Sequence, residues 1–394
     1  AGVNAGNSIA SGGNNNVLVG DEAGTALTTG DGNVAVGFEA LKTEDAHGNN
    51  VAVGYRALKD LNAGATGNNT AVGYNSGANI TTGTSNTVVG ANAGDALTEG
   101  ADNVAIGSFA LSAEDTTGRN IAIGRNSLLV ANSTSGNANN VAIGYNTGAT
   151  ITTGTKNIFI GSFAGDATTT SSDNTVVGYN ALTAGDSSGT NTAIGSTTLH
   201  EATGFDNTAL GFNAGSNVTT GDNNLLLGHD AGITGSPDGN FTTVNNRIVL
   251  GDENITKCSI QVDWTIASDQ RDKTDFADLD LGLDFVKALT PVTYKWDKRS
   301  KYGDKYADDY DLNAQTPDGT HKEDWLDIGF KAQEVEALEI AAGYNKDNKT
   351  NLTTTLSDDG NQYGIQYSKF VPILVKAIQE QNALIEALTT RITT

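Results

Sequence analysis

The chain has 394 residues, which is long enough for two or more domains, and its composition differs from that of one ordinary globular domain. Hydrophobic residues make up 37% and aromatic residues 6%. The formal net charge is −23, of which −15 lies before Ser268, and this acidity disfavours binding to nucleic acid or an anionic membrane. Cys258 is the only cysteine, which excludes an intrachain disulfide, and we expect it to pack as a small apolar group.

No apolar run is long enough to span a membrane, and the N-terminus does not read as a signal peptide. The sequence contains no methionine, not even at position 1, so we expect Ala1 to be a fragment boundary with any targeting element outside it.

A short repeat fills residues 1–251 and consists of Asn, three strand-forming residues and Gly. Examples are Asn33–Gly37, Asn103–Gly107 and Asn140–Gly144. Asn stands four residues before Gly in thirteen regular copies spaced 16 to 20 residues apart, and a looser copy ends at Gly251 with Arg247 in the Asn position. Units of this length bury a continuous core only by stacking, so the pattern predicts a β-solenoid whose Asn side chains form a hydrogen-bonded ladder.

The three strand positions of each unit alternate in size. The residue before Gly is Val, Ile or Leu, and we expect it to point into the core together with the residue two positions earlier. The middle residue is usually Ala, as in Ala35 and Ala105, and we expect these small side chains to form an outer face against which copies of the chain pack.

A second segment after each Gly ends in Leu or in Gly, as in Phe38–Leu41 and Tyr74–Gly77. The order Leu, Leu, Gly, Gly recurs, which gives a superperiod of about four units or 70 residues. The longer loops after the Leu-type units vary most in length and charge, so we expect any receptor contact there.

The repeat array resembles the head repeats of trimeric autotransporter adhesins, which form a left-handed parallel β-roll, and repeats of phage tail fibres. The resemblance covers about 230 residues. It implies a homotrimer, because fibrous β-trimers solve the shortage of large apolar residues by packing against each other.

Metal and cofactor signals are weak. His47, His200 and His229 occupy non-equivalent positions, and we interpret them as surface or loop residues rather than metal ligands. Asp-Gly and Asp-Asn turns such as Asp31-Gly32 fit turn chemistry better than Ca²⁺ binding. We predict no metal and no cofactor.

The array gives way at 252–267 to a junction, where loose alternation from Ile255 to Ile266 predicts a last strand pair that closes the array. Ser268-Asp269-Gln270-Arg271-Asp272-Lys273 follows. Three further motifs come later in order, at Leu289–Trp296, Gly329–Val335 and Tyr367–Glu380.

These four landmarks resemble the intramolecular chaperone domain that ends phage tailspikes and endosialidases, over residues 268–394. Lys331 departs from the family pattern, which usually has an aliphatic residue there, and 298–327 is a charged insertion. The resemblance implies self-cleavage between Ala267 and Ser268, with Ser268 as nucleophile and Lys273 as base in a single turnover. Asp269 and Arg271 are expected to pair and support the loop.

The rest of the chain predicts a helix over 279–288, a strand over 293–296, a strand or loop leading into a helix over 328–337, and a final helix from Ser368. Apolar residues along this last helix follow the spacing of a coiled coil. The seam predicted to register a trimer contains Leu374, Ile378, Gln381, Ile385, Leu388 and Ile392. A helix packed on its own domain is the alternative.

The sequence therefore predicts a mainly β protein: a β-solenoid array at 1–251, closing strands and junction at 252–267, and an α+β chaperone domain at 268–394 with a trimeric coiled coil at 368–394. The favoured function is a viral tail fibre or spike, located in the virion, that trimerises, cleaves itself and attaches to a host receptor or glycan. A cell-surface adhesin with an uncut chaperone and a glycan depolymerase carried by the array remain the alternatives.

Overall fold

The computed structural model describes residues 2–113, 116–133, 136–184, 189–307, 309–347 and 349–394. The chain forms two compact units. The first, the solenoid unit, comprises Ala1–Ile233 and Phe241–Gly251, and the second, the C-terminal unit, comprises Thr234–Asn240 and Asp252–Thr394.

The solenoid unit contains one parallel sheet of fourteen three-residue strands, in which each strand pairs with the next along the chain. One strand per repeat means that each repeat is one coil, and at about 4.8 Å per rung the sheet is roughly 60 Å long. The strands are β1 Val17–Val19, β2 Val34–Val36, β3 Val51–Val53, β4 Thr70–Val72, β5 Thr87–Val89, β6 Val104–Ile106, β7 Ile121–Ile123, β8 Val141–Ile143, β9 Ile158–Ile160, β10 Thr175–Val177, β11 Thr192–Ile194, β12 Thr208–Leu210, β13 Leu225–Leu227 and β14 Ile248–Leu250.

The predicted asparagine ladder is confirmed. The backbone N–H of each repeat Asn donates to the Oδ1 of the Asn one coil earlier, at 2.8 to 3.1 Å, and Arg247 N–H closes the series on Asn224. Most of these side chains also donate to a carbonyl of their own coil, as Asn86 Nδ2 does to Gly100 O at 2.9 Å. The ladder thus joins neighbouring coils and fixes the path of each coil.

The prediction of which strand face points inward was wrong. Ala35, Ala52 and Ala105 are fully buried, whereas the flanking Val and Ile side chains are half-buried or exposed. The middle residue is buried in every strand from β2 to β14, whether it is Ala or a larger side chain such as Val88, Phe159 or Leu226. Alternation along the strand therefore sends the flanking aliphatic side chains outward.

The two repeat types are two ways of filling the same space. In Leu-type units the Leu itself is fully buried, although Leu41 and Leu58 adopt φ near +50°, a strained conformation for a side chain of this size. In Gly-type units other buried side chains fill the space beside the glycine, such as Ile80 beside Gly77 and Phe159 beside Gly165. A Cβ on Gly77 would lie 2.8 Å from Ile80 Cδ1 at a backbone φ of +57°, so a side chain here would be strained and would displace the end of Ile80.

Parts of the loops after the Leu-type units, at 114–115, 134–135 and 185–188, lie outside the described residues. The expectation of receptor contacts in these loops therefore remains a prediction.

The C-terminal unit is an α+β arrangement with a small core. Its elements are α1 Leu283–Ala288, β15 Val292–Tyr294, β16 Asp327–Gly329, α2 Ala332–Ala341, β17 Thr354–Leu356, β18 Tyr363–Ile365 and α3 Phe370–Thr393. β15 pairs antiparallel with β16, and β17 pairs antiparallel with β18. The buried core consists of Leu281, Phe285, Val335, Phe370 and Ile373. Within the described residues, no helix combines the length and apolar character needed to cross a membrane.

The predicted strand pair within 255–266 does not form, and this part of the junction has no regular structure. Its alternating apolar residues, including Ile260, Val262, Trp264 and Ile266, are exposed. Within one chain no neighbouring strand is available to accept their backbone hydrogen bonds, so the alternation alone does not produce a strand. Cys258 lies in the same segment and is exposed, so the prediction that it packs in a core was wrong.

Candidate functional site

The candidate site lies on a single 3-10 turn, Gln270–Asp272, which follows the irregular junction. Asp269 precedes the turn in an extended conformation, and its Oδ1 accepts a hydrogen bond from Arg271 N–H at 2.9 Å. Lys273 N–H then donates to Gln270 O and ends the turn. Because the chain reverses over these residues, the side chains on either side of the turn come together.

The turn brings Ser268 and Lys273 within hydrogen-bond distance. Lys273 Nζ lies 2.6 Å from Ser268 Oγ. As an ammonium the lysine donates this hydrogen bond, whereas a neutral lysine in the same position would accept the hydroxyl proton. The pair can therefore act as a nucleophile and its base once the lysine has lost its proton.

Asp269 and Arg271 form an ion pair beside this turn. Arg271 Nη2 lies 2.6 Å from Asp269 Oδ2, and Arg271 Nε lies 3.1 Å from Oδ1. The guanidinium holds the pKa of the Asp269 carboxyl below its usual value, and the carboxylate raises the pKa of Arg271. The same carboxylate thus caps the turn and binds the arginine side chain.

Ala267, Ser268 and Lys273 are all exposed in the single chain. The pair is therefore open to solvent in the single chain. The resemblance to the chaperone family implied this pair, and the structure gives the distance between the two side chains.

The final helix divides into two parts. Phe370, Ile373 and Ala377 are buried in the C-terminal unit's own core. From Ile378 onward the side chains are exposed except that of Glu380, which is half-buried and accepts a hydrogen bond from Leu283 N–H at 2.7 Å. The predicted seam residues Ile378, Gln381, Ile385, Leu388 and Ile392 are all exposed. The alternative of a helix packed on its own domain therefore describes only the N-terminal part of α3.

Sequence reasoning missed a buried carboxylate that organises the C-terminal unit. Glu339 on α2 is fully buried. Its Oε1 accepts hydrogen bonds from Leu352 N–H at 3.2 Å and from the N–H and hydroxyl of Thr353, and its Oε2 accepts from the Thr354 hydroxyl. A Glu in a charged helix is normally exposed, so the helical pattern contains no signal for this role.

Acidic and imidazole groups come together at Glu44, Asp45 and His47 in the solenoid unit. The Glu44 carboxylate is already occupied by His47 N–H, the His47 ring and Ala63 N–H. These contacts account for the buried Glu44, and we assign no metal to the cluster.

Comparison with known proteins identifies the C-terminal segment. Residues 268–344 match the model of a peptidase family described as chaperone of endosialidase, and the match covers less than half of the chain. Searches of curated proteins and of solved structures found no match. The family match begins at Ser268, the residue that lies 2.6 Å from Lys273 Nζ. The chain thus contains a long β-solenoid followed in sequence by a segment that matches the chaperone-of-endosialidase family.

Proposed function

We propose that this chain is a trimeric tail fibre or spike protein whose C-terminal unit drives assembly and then cuts the chain between Ala267 and Ser268. The observation that carries the proposal is the 2.6 Å separation of Ser268 Oγ and Lys273 Nζ at the start of the chaperone segment. A solenoid of weakly hydrophobic coils and a helix with an exposed apolar seam both fit an assembly that needs several copies.

The proposed reaction consumes one water. Neutral Lys273 takes the hydroxyl proton as Ser268 Oγ attacks the carbonyl carbon of Ala267. The C–N bond breaks, the lysine returns the proton to the leaving nitrogen of Ser268, and an ester joins Ala267 to Ser268 Oγ. Water then hydrolyses the ester, which leaves a carboxylate at Ala267 and restores the Ser268 hydroxyl. Each chain reacts once.

In this proposal, assembly of the trimer shields Ser268 and Lys273 from water, which the single chain does not do. Ser268 and Lys273 are exposed in one chain, whereas packing of other copies over the junction would remove water and favour the neutral amine. Cleavage would then follow trimerisation and not precede it. Loss of the C-terminal unit removes the part that nucleated assembly, so the released trimer is kinetically trapped.

The helix seam is proposed to bring the three chains together. Trimerisation through α3 raises the local concentration of the three solenoids, whose own association would otherwise be slow because it needs distant contacts. Gln381 is the polar seam position, and such a residue can fix register at some cost in stability.

The decisive experiment is the intact mass of purified wild type, Ser268→Ala and Lys273→Ala. We expect the wild type to yield a C-terminal fragment beginning at Ser268, and both variants to remain at full length. Ser259→Ala and Lys257→Ala, which change nearby exposed residues, serve as matched controls and should cleave normally. Full-length wild type, or equal cleavage in all five proteins, would sink the self-cleavage proposal.

Assembly needs a separate readout, namely light scattering after size exclusion. Ile385→Lys changes an exposed seam residue and should reduce both the trimer and the cleavage. Ala383→Lys lies off the seam on the same helix and should leave both unchanged. Full cleavage of a monomeric Ile385→Lys protein would contradict the order of assembly before cleavage.

Host attachment in the virion completes the proposal, with a host surface receptor or glycan as the partner. Binding to a glycan array without release of sugar would support attachment, whereas release of sugar would favour the depolymerase alternative.

A further inference from the structure

The outward side chains of the solenoid sheet form a continuous apolar surface, here called the outer sheet face. It consists of the first and third residues of every strand from β1 to β14. The third residue is Val, Ile or Leu in all fourteen strands, and the first is Val, Ile, Leu or Thr. Neighbouring strands pair equivalent residues without an offset. These side chains therefore form two straight columns along the sheet.

Charge is absent from this face although the chain is strongly acidic. None of its 28 positions is Asp, Glu, Lys, Arg or His, while the chain as a whole carries a formal net charge of −23. Exposed fractions include 37% for Val72, 40% for Ile158 and 50% for Leu210. A solvent-facing surface of an acidic protein would be expected to include charged residues, so this pattern indicates a surface that another molecule covers.

The size of the face is adequate for a stable contact. If each side chain exposes on the order of 40 Å², the face offers roughly 1,100 Å², compared with about 800 Å² per partner in a standard interface. Monomeric proteins seldom expose an apolar patch of more than a few hundred Å².

The spacing of the face identifies its partner. Its rungs repeat at the strand spacing of about 4.8 Å over fourteen strands. A globular partner or a membrane could follow this repeat only over a short distance, whereas a second copy of the same solenoid has the same spacing along its whole length. If two parallel copies are aligned at one end, the strands of one copy lie opposite the strands of the other along the whole sheet.

A bound glycan fits the face less well. Aromatic residues border it after the strand glycine, and the Phe38, Tyr55 and Tyr74 rings stack on each other with centroids 5.3 and 5.1 Å apart. Farther along the array, Tyr145, Phe163 and Tyr179 instead meet edge to face. A sugar stacks on an aromatic ring, and none of the 28 positions of the outer sheet face is aromatic. Edge contacts suit protein packing.

We propose that the outer sheet face is the surface through which copies of this chain pack around a common axis. The inference rests on the proposed trimer and adds its contact surface along the solenoid. The contact lies entirely within residues 17–250. The cleaved solenoids would therefore stay trimeric after the C-terminal unit has been removed.

The test uses the full chain with Ser268→Ala to prevent cutting and Cys258→Ser to remove the native thiol. Single cysteines are then placed at Val72 or Ile194 on the face, or at Thr82, an exposed turn residue of the same coil as Val72, as the matched control. Circular dichroism checks folding, and light scattering establishes the oligomeric state. A short bismaleimide and a polymer-linked maleimide then report proximity and accessibility.

We expect a trimer in which Val72→Cys and Ile194→Cys chains cross-link to each other and label about tenfold more slowly than Thr82→Cys, because an interface core excludes solvent. A trimer whose face cysteines label as fast as Thr82→Cys without cross-linking would overturn this inference alone. Cross-linking through Thr82→Cys only would overturn it as well. A monomer would overturn the proposed trimer and this inference together.

Discussion

The two units of this protein are stabilised in opposite ways. In the solenoid unit, 38 of the described residues form one continuous buried cluster, and the same asparagine contact recurs from coil to coil. In the C-terminal unit the main cluster of buried apolar residues has five described members, and the fully buried carboxylate of Glu339 joins α2 to the segment before β18. Stability is therefore spread along the solenoid and concentrated in the C-terminal unit.

This difference has a functional meaning under the proposed reaction. A repeat array with many equivalent contacts tolerates the loss of its neighbour, since each coil interacts mainly with the next. A unit with a small core has fewer internal contacts of its own to hold it together, and its exposed seam on α3 includes Ile385 and Ile392. Such a unit suits a part that acts early and is then discarded. The following predictions test the comparison from the largest expected effect to the smallest.

The largest effect is expected from Gly54→Ala in the solenoid. A Cβ at Gly54 would lie 2.1 Å from the carbonyl oxygen of Gly73 on the next coil, and the backbone φ of +141° disfavours any side chain. We expect a loss of more than about 3 kcal/mol, with local separation of the two coils. Hydrogen exchange measured by mass spectrometry should show the loss of protection around 50–75.

Gly64→Ala is the matched control for this prediction. Gly64 also has positive φ, but an added Cβ meets nothing within 4 Å of the described residues. Its cost should stay near 1 kcal/mol. Equal costs for the two variants would mean that close coil approach does not limit the solenoid.

Glu339→Ala should cause the next largest loss and should affect the C-terminal unit alone. The substitution leaves the buried N–H groups and hydroxyls of Thr353 and its neighbours without their acceptor. We expect about 2–4 kcal/mol, read as lost exchange protection in α2 and β17. Glu334→Ala removes an exposed carboxylate from the same helix and should cost less than about 1 kcal/mol. If Glu339→Ala left the hydrogen-exchange protection of α2 and β17 unchanged, the idea that stability of the C-terminal unit is concentrated at Glu339 would be refuted.

Asn86→Ala should cost less than Glu339→Ala, because the ladder has many members. The variant leaves Asn103 N–H without the Oδ1 that it contacts at 3.0 Å and removes the contact to Gly100 O. We expect about 1–3 kcal/mol, confined to adjacent coils. Asn62→Ala, at an exposed position, should be nearly neutral. A larger loss than in Glu339→Ala, measured by the same method, would reverse the proposed ranking.

Much of the solenoid could be predicted because its signals repeat. Asn at a fixed distance from Gly in thirteen copies predicted the ladder, and Leu or Gly four residues after the strand glycine predicted the superperiod. The inside and outside of the strand could not be predicted in the same way. Alternation defines two faces but does not say which one is inside. Hydrophobicity favoured the flanking Val residues, whereas the structure buries the middle residue, whether it is small as at Ala35 or large as at Phe159.

The candidate site was only partly predictable for a different reason. The residue types of Ser268 and Lys273 could be read from the motif, but their 2.6 Å separation depends on a turn capped by Asp269. The burial of Glu339 depends on Thr353 and Thr354, which arrive from a distant segment. Tertiary contacts of this kind are not encoded in the local pattern of a helix.

The smallest expected effects are on the pH dependence of stability. At neutral pH, replacing one half-buried Asp by Asn should stabilise the solenoid unit but destabilise the C-terminal unit. In the solenoid, burial raises the pKa of Asp95, whose Oδ1 has no hydrogen-bond partner among the described residues. A raised folded-state pKa adds stability at low pH that is lost as the pH rises through that value. Asp95→Asn should therefore stabilise the solenoid at about pH 7 and have little effect at about pH 3.

Asp359 in the C-terminal unit should behave in the opposite way. Burial alone would raise its pKa, but hydrogen bonds from Ser357, Asn240 and Asn361 outweigh it and lower the pKa below 3.8. The stability from a lowered pKa is present above the unfolded-state value and is lost as the pH falls through the folded-state value. Asp359→Asn should thus destabilise the unit at about pH 7, and the difference from wild type should shrink towards about pH 3. Urea titrations monitored by hydrogen exchange of each unit would measure both effects, and the same sign for the two variants at neutral pH would contradict the contrast.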